Sequence, residues 1–174
     1  MVTTDGILPL TIGASMSANP GVAMARYDEN YCYSEVLGTT TGDLGLWLGD
    51  YDGAAPIDGN IPQPFGLTVF GDVLVRIDVW DASLATPEGI HVGSTLAQVQ
   101  AAYPALVTGS AGGTSDVYWI EGSHGYVVFE TQDDSDGFQP AGTPMTVIHM
   151  RVIDAGSDPD FAIANSGNTG GCAW

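Results

Sequence analysis

Lysine is absent from this chain of 174 residues, and arginine occurs three times, at Arg26, Arg76 and Arg151. Against 21 acidic residues this leaves a net charge of −18. So acidic a surface repels phosphate backbones and anionic lipid headgroups, which excludes nonspecific binding to nucleic acid or to such membranes. It would attract cationic partners or metal ions, but solubility is the simpler account. Salt adaptation is a variant of that account. Charged residues nevertheless total only 14%, less than a strongly halophilic surface calls for.

No run of about 18 apolar residues occurs, so no segment is expected to span a membrane. Met1-Val2-Thr3-Thr4 lacks a basic segment and reads as the start of a mature chain, with no signal peptide in view. Cysteine is scarce as well. Cys32 and Cys172 lie 140 residues apart, and neither sits in a Cys-x-x-Cys pair, which argues against a zinc or redox motif. Two free thiols in a cytosolic protein are one reading. A disulfide between them is the favoured one, because a tail as polar as Asn165-Ser166-Gly167-Asn168 has little else to hold it. Closing so long a loop would contribute about 5 kcal/mol, an upper figure that strain reduces. A disulfide implies an oxidising compartment.

What is present is an internal repeat. Asp5-Gly6-Ile7 and Ile12-Gly13-Ala14-Ser15 open the first half; Glu88-Gly89-Ile90 and Val92-Gly93-Ser94-Thr95 open the second. Later, Val73-Leu74-Val75-Arg76-Ile77-Asp78-Val79 matches Ile148-His149-Met150-Arg151-Val152-Ile153-Asp154 at an offset of 75, so Arg76 and Arg151 are equivalent. Hydrophobic residues make up 44%, enough for a buried core.

The second half is the easier to read. Thr95 with Gln98 has capping-box spacing. Leu96, Val99 and Tyr103 share one helical face, and Pro104 ends it, so a helix is predicted over about 95–103. Strands follow at Ala105–Thr108 (the weakest), Asp116–Glu121, Tyr126–Glu130 and Met145–Asp154, with a turn at Gly122–Gly125 and a polar loop at Thr131–Gly142. In the first half Ser15 takes the place of Thr95, but Pro20-Gly21 falls where the helix should continue. A short or broken helix is expected, resumed at Val22–Tyr27. Strands are expected at Tyr31–Val36, Leu44–Leu48, Phe65–Phe70 and Val73–Trp80, with Gly71-Asp72 as a two-residue hairpin turn. Alternation points Val73, Val75, Ile77 and Val79 toward the helix and Leu74, Arg76, Asp78 and Trp80 away from it. Likewise Ile148, Met150 and Val152 should face the helix, with His149, Arg151 and Ile153 facing away.

The run Gly89-Ile90-His91-Val92-Gly93-Ser94-Thr95-Leu96-Ala97-Gln98-Val99, closed by Tyr103-Pro104, resembles the opening of beta-lactamase inhibitor protein-like modules. It is also similar to the small outer-membrane assembly lipoproteins that share their fold. Thr86-Pro87-Glu88-Gly89-Ile90 and the helix after it are similar to secreted or lipid-anchored proteins of actinobacteria. The match covers about 60 residues of the second half, and in the first half only the Gly13-Ala14-Ser15 start and the last hairpin. The resemblance implies an exported protein of tandem helix-plus-sheet modules that binds through its outer sheet face and loops without catalysis. The cysteines are not paired within each half and Pro20-Gly21 interrupts the first helix, so inhibition of a beta-lactamase does not carry over.

Trp80, Arg76 and Asp78, with Leu74 beside them and His149 and Arg151 as their counterparts, form the candidate binding patch. Tryptophan and arginine are the residue types that anchor interfaces. The alternative is that these groups are buried where the two sheets meet. Asp50-Tyr51-Asp52-Gly53 and Asp134-Ser135-Asp136-Gly137 hold too few convergent oxygens for calcium and read as surface turns. Ser123-His124, with Asp116 or Asp133, is the one conceivable triad, but neighbouring Ser and His seldom reach each other and no Gly-x-Ser-x-Gly elbow exists. His91, His124 and His149 lack zinc spacing. The glycine-rich run Gly109–Thr114 has no lysine or strong helix after it, so it reads as a loop and not a phosphate cradle.

Together these features predict an α+β chain of two modules, about 5–81 and 86–155, each a short helical segment packed on an antiparallel β-meander, with a polar tail at 156–174. The expected function is noncatalytic binding, of a protein, at the cell envelope or outside the cell, without cofactor or metal. A structural envelope protein with its two sheets packed together is the alternative, and a hydrolase the least favoured.

Overall fold

Thr95 caps a helix as its spacing requires. In the computed structural model, which describes residues 1–28, 33–34, 39–40, 46–49, 64–109, 115–135 and 137–160, the helix α1 runs Leu96–Ala102. The Thr95 hydroxyl accepts from the Gln98 amide, and the Gln98 side chain accepts from the Thr95 amide at 2.8 Å. Val99 is fully buried beneath it. Tyr103 closes the helix and stacks on Phe129.

The described residues of the first half form no such helix, which corrects the expectation of an α+β fold with a helix in each module. Among the described residues α1 is the single α-helix, and the chain is mostly β. Two 3₁₀ turns, Met16–Ala18 and Val22–Met24, stand where the first helix was expected. The Ser15 hydroxyl makes no cap; it bonds to Asp72 instead. Ala18 stands where the second half has Gln98, so the reciprocal half of the box is missing. Asn19, buried behind Pro20, accepts from the amides of Thr11 and Gly21 and donates to the Thr11 carbonyl. That clamp turns the chain away from a helical path.

Among the described residues, thirteen short to medium strands complete the fold. Val2–Thr3 (β1), Gly6–Ile7 (β2) and Leu10–Thr11 (β3) make a three-stranded antiparallel sheet. Tyr33–Ser34 (β5) pairs with Thr39–Thr40 (β6). The remaining strands are Ala25–Asp28 (β4), Leu46–Gly49 (β7), Phe65–Phe70 (β8), Val73–Val79 (β9), Val107–Thr108 (β10), Asp116–Glu121 (β11), Gly125–Gln132 (β12) and Thr146–Asp154 (β13). They form one eight-stranded antiparallel sheet in the order β10-β11-β12-β13-β9-β8-β7-β4. Where a resumed helix was expected over Val22–Tyr27, Ala25–Asp28 is therefore an edge strand. The β8–β9 hairpin turns at Gly71-Asp72, both at positive φ, as a two-residue turn of the primed type requires. Of the remaining expectations, the strand at Tyr31–Val36 lies mostly outside the described residues, and Cys32, Cys172, Asp50-Tyr51-Asp52-Gly53, Asp136, 110–114 and 161–174 lie wholly outside them.

The sheet's centre is the junction of the two halves. β9 and β13 pair antiparallel, with Ile77 opposite Val152, Asp78 opposite Arg151 and Arg76 opposite Ile153. The 75-residue offset carries the second of these pairs onto the third. One hydrophobic core lies on the side of the helix and the small sheet. It unites Val2, Ile7, Leu10 and Met16 with Phe65, Ile77, Val99, Phe129 and Val152. The Val2 amide bonds to the Ala85 carbonyl at 2.9 Å, so the first residues are part of that core.

Two bulges redirect the alternation. Register slips between Thr68 and Val69 against β9, and between Glu130 and Thr131 against β13. The extra residues are Val75 and Ile148, both only half-buried, and the residues before them change face. Leu74, expected to face away from the helix, is fully buried in the main core. Val147 takes the core position expected for Ile148.

Candidate functional site

Directly opposed residues of an antiparallel sheet share a face. Strand by strand, one such row crosses the whole sheet: Arg26, Leu48, Gly66, Asp78, Arg151, Val128, Trp119, Val107. It lies on the face away from α1. Next to it run Thr68, Arg76, Ile153, Tyr126 and Glu121 on one side and His149, Glu130 and Val117 on the other. All three arginines of the chain therefore stand on one face of one sheet.

Trp80 reaches the same face. A Cβ built on Gly66 would lie 2.5 Å from the end of the Trp80 indole, so the ring occupies the space that Gly66 leaves in the row. A second apolar cluster continues the face on the other half, where Val117, Val128 and Ile153 pack with Trp119 and Tyr126. The row is open at its ends, with Val107 exposed and the Arg26 side chain 40% accessible. Its middle is buried: Asp78 is 0% exposed and Arg151 2%.

The charges at the middle are unequally satisfied. Arg76 donates to Asp78 Oδ1 from Nε at 2.9 Å and from Nη2 at 2.8 Å. Burial still outweighs this attraction and holds the Asp78 carboxyl above the usual range. Its second oxygen has no hydrogen-bond partner, and neither do Arg151 Nε and Nη2 or His149 Nδ1. Burial draws the Arg151 guanidinium down to about 10, with Arg76 adding to the effect. Ser115 donates to Glu130 Oε1 at 2.6 Å, while Glu130 Oε2 lies 3.9 Å from His149 Nδ1. Burial also lowers the affinity of His149 for a proton.

The structure thus brings together all five expected patch residues, Trp80, Arg76, Asp78, His149 and Arg151. It removes Leu74 from the patch. It adds Arg26, Glu130, Trp119 and Tyr126, which the sequence reading passed over. Alternation along Tyr126–Glu130 and Asp116–Glu121 carries the signal for the last three. Arg26 was hidden by the expectation of a helix there.

The conceivable triad does not assemble. Ser123 Oγ at 3.2 Å and Asp5 Oδ1 at 2.8 Å both approach His124 Nδ1, whereas a relay needs them on opposite ring nitrogens. The partner of His124 is Asp5, not Asp116 or Asp133, and the pair ties the β11–β12 turn to the first strands. Asp133 accepts from the Ser135 amide, and the Asp134 carbonyl accepts from the Gly137 amide, as in surface turns. Among the described residues no three or more His, Cys, Asp or Glu side chains converge as metal ligands. None of their helices is long and apolar enough to cross a membrane. Comparison of the chain with protein-family models, curated proteins and solved structures finds no match.

Proposed function

We propose that this chain is a noncatalytic binding module, working at the cell envelope or outside the cell, that recognises a protein through the outer face of its eight-stranded sheet. The observation that carries this reading is the placement of arginine. In a chain of net charge −18, every basic side chain apart from histidine stands on the face that also holds Trp80, Trp119 and Tyr126. Solubility alone would scatter them. Arginine and aromatic residues dominate the energetics of protein interfaces. Location at the envelope rests on the likeness of the Gly89–Val99 run to beta-lactamase inhibitor-like and assembly-lipoprotein modules.

A second reading draws on the burial of Asp78, Val128 and Arg151 in the middle of the face. It makes the chain a structural envelope component whose outer face is closed. The two halves join edge to edge through β9 and β13, so closure would not come from one sheet lying on the other.

Trp80→Ala separates the two. The chain is used as bait on envelope and secreted fractions of its source, and the captured protein is then purified and titrated. The binding reading expects Trp80→Ala to weaken that partner at least tenfold while costing under about 1.5 kcal/mol of stability. The structural reading expects a stability loss of about 3–5 kcal/mol and no saturable partner.

A further inference from the structure

We infer that His149 makes the seam between β9 and β13 responsive to acid: its protonation rearranges the charged cluster at the centre of the outer face, and so sets whether that face can engage a partner. The inference rests on the binding reading only for its last step.

The groups involved come from three adjacent strands. Among the described residues, the charged groups facing His149 are Glu130 from β12, Asp78 and Arg76 from β9, and Arg151 on its own strand. With the imidazole neutral, two arginines and two carboxylates balance. Glu130 stands opposite His149 in the ladder, and Ser115 already holds its other oxygen. The Nδ1 to Oε2 separation is 3.9 Å, about 1 Å beyond a charge-assisted hydrogen bond. His149 Nδ1 is buried and has no partner, while the side chain as a whole is 28% exposed. A proton can therefore reach the ring, and once there it meets an uneven field. The imidazolium gains by closing on Glu130 and loses against Arg151, whose Nε and Nη2 have nothing else to hold them. His149 Nδ1 and the Nε and Nη2 edge of Arg151 lack hydrogen-bond partners, which is what a second arrangement of the cluster needs.

The direction follows from linkage. Burial lowers the proton affinity of His149 in the folded chain, so below the ordinary imidazole value near 6.5 the unfolded chain binds more protons. Stability contributed by neutral His149 is present above that pH and is lost as pH falls through it. Asp78 has the opposite sign: its raised carboxyl takes up a proton first in the folded chain, and acid below its raised value favours the fold. Comparing wild type with a variant at His149 alone isolates the first effect.

The test uses the full chain. Imidazole proton resonances are followed by NMR from pH 8 to 5, and melting temperatures of wild type and His149→Gln are measured over the same range. The expected result is a His149 midpoint below 6.5, resonances of Glu130 and Arg151 that move with it, and a wild-type melting temperature that falls by about 2–4 °C more than the variant's. A midpoint at or above 6.5, or superimposable melting profiles, overturns the inference. Should His149→Gln fail to fold, the wild-type titration decides: Glu130 and Arg151 moving with the His149 midpoint supports the switch, and their indifference overturns it. Failure to capture any partner sinks the binding reading and leaves these measurements intact.

Discussion

Arg76 and Arg151 are equivalent residues of the repeat in unequal circumstances. Arg76 turns Nε and Nη2 onto one oxygen of Asp78; the same two nitrogens of Arg151 have no partner. A buried charge stabilises only when paired, and stripping one partner from a buried pair costs about 3–5 kcal/mol, whereas replacing a poorly paired charge by an apolar group of similar size is often neutral. Arg76→Met should therefore lower stability by about 3–5 kcal/mol, and Arg151→Met by no more than about 1 kcal/mol. Urea midpoints at neutral pH check this; equal losses would mean that Arg151 is as well held as Arg76. At this scale the sequence was informative. Period-two alternation places Arg76, Asp78, His149 and Arg151 on the outer face, where they stand. It fails for Leu74, because a bulge at Val75 shifts the phase, and no residue of that strand announces a bulge. The burial of Asp78 and Arg151 stood in the sequence only as an alternative to exposure, since alternation assigns a face but not what covers it.

Among the elements, the two expected helices make a controlled comparison. Thr95 and Ser15 are both good caps, and each precedes an apolar residue. Thr95 has Gln98 to complete its box, and its helix enters beside β13, where the Leu96 amide bonds to the Met145 carbonyl and the Val147 amide to the Ser94 carbonyl. Ser15 and Ser17 both donate to Asp72, at the tip of the β8–β9 hairpin, and those bonds hold the Asp72 carboxyl below its usual range. The cap was diverted by a residue 57 positions away, which no local pattern reports. Pro20-Gly21 did warn of a break. What it could not say is that the chain would leave as strand β4 and carry Arg26 onto the outer face. Thr95→Ala removes the cap of α1 and should cost about 1 kcal/mol, read as a lower urea midpoint. Ser15→Ala should leave helix content unchanged by far-ultraviolet circular dichroism, because Ser15 caps none.

The whole molecule is organised about one pairing. β9 and β13 are the matched segments of the repeat, and they meet with Ile77 opposite Val152 at the centre of the sheet. Each half thus contributes its last strand to the other's edge, and neither leaves that strand unpaired, a common route to unwanted association. The core on the helix side is shared in the same way, since residues of both halves and of the first strands belong to a single cluster. An arrangement of this kind should unfold as one unit, although the sequence presents two. Ile77→Ala tests it, because Ile77 is fully buried and touches the seam from the first half alone. The expected cost is about 2–5 kcal/mol. Amide exchange should then show β8 and β12, on opposite sides of the seam, losing protection by the same amount. If β8 loses protection while β12 keeps it, the halves are independent folding units and the shared core does not couple them. In that event the outer face would be two surfaces that move separately, and a single partner could not read Trp80 and Trp119 together.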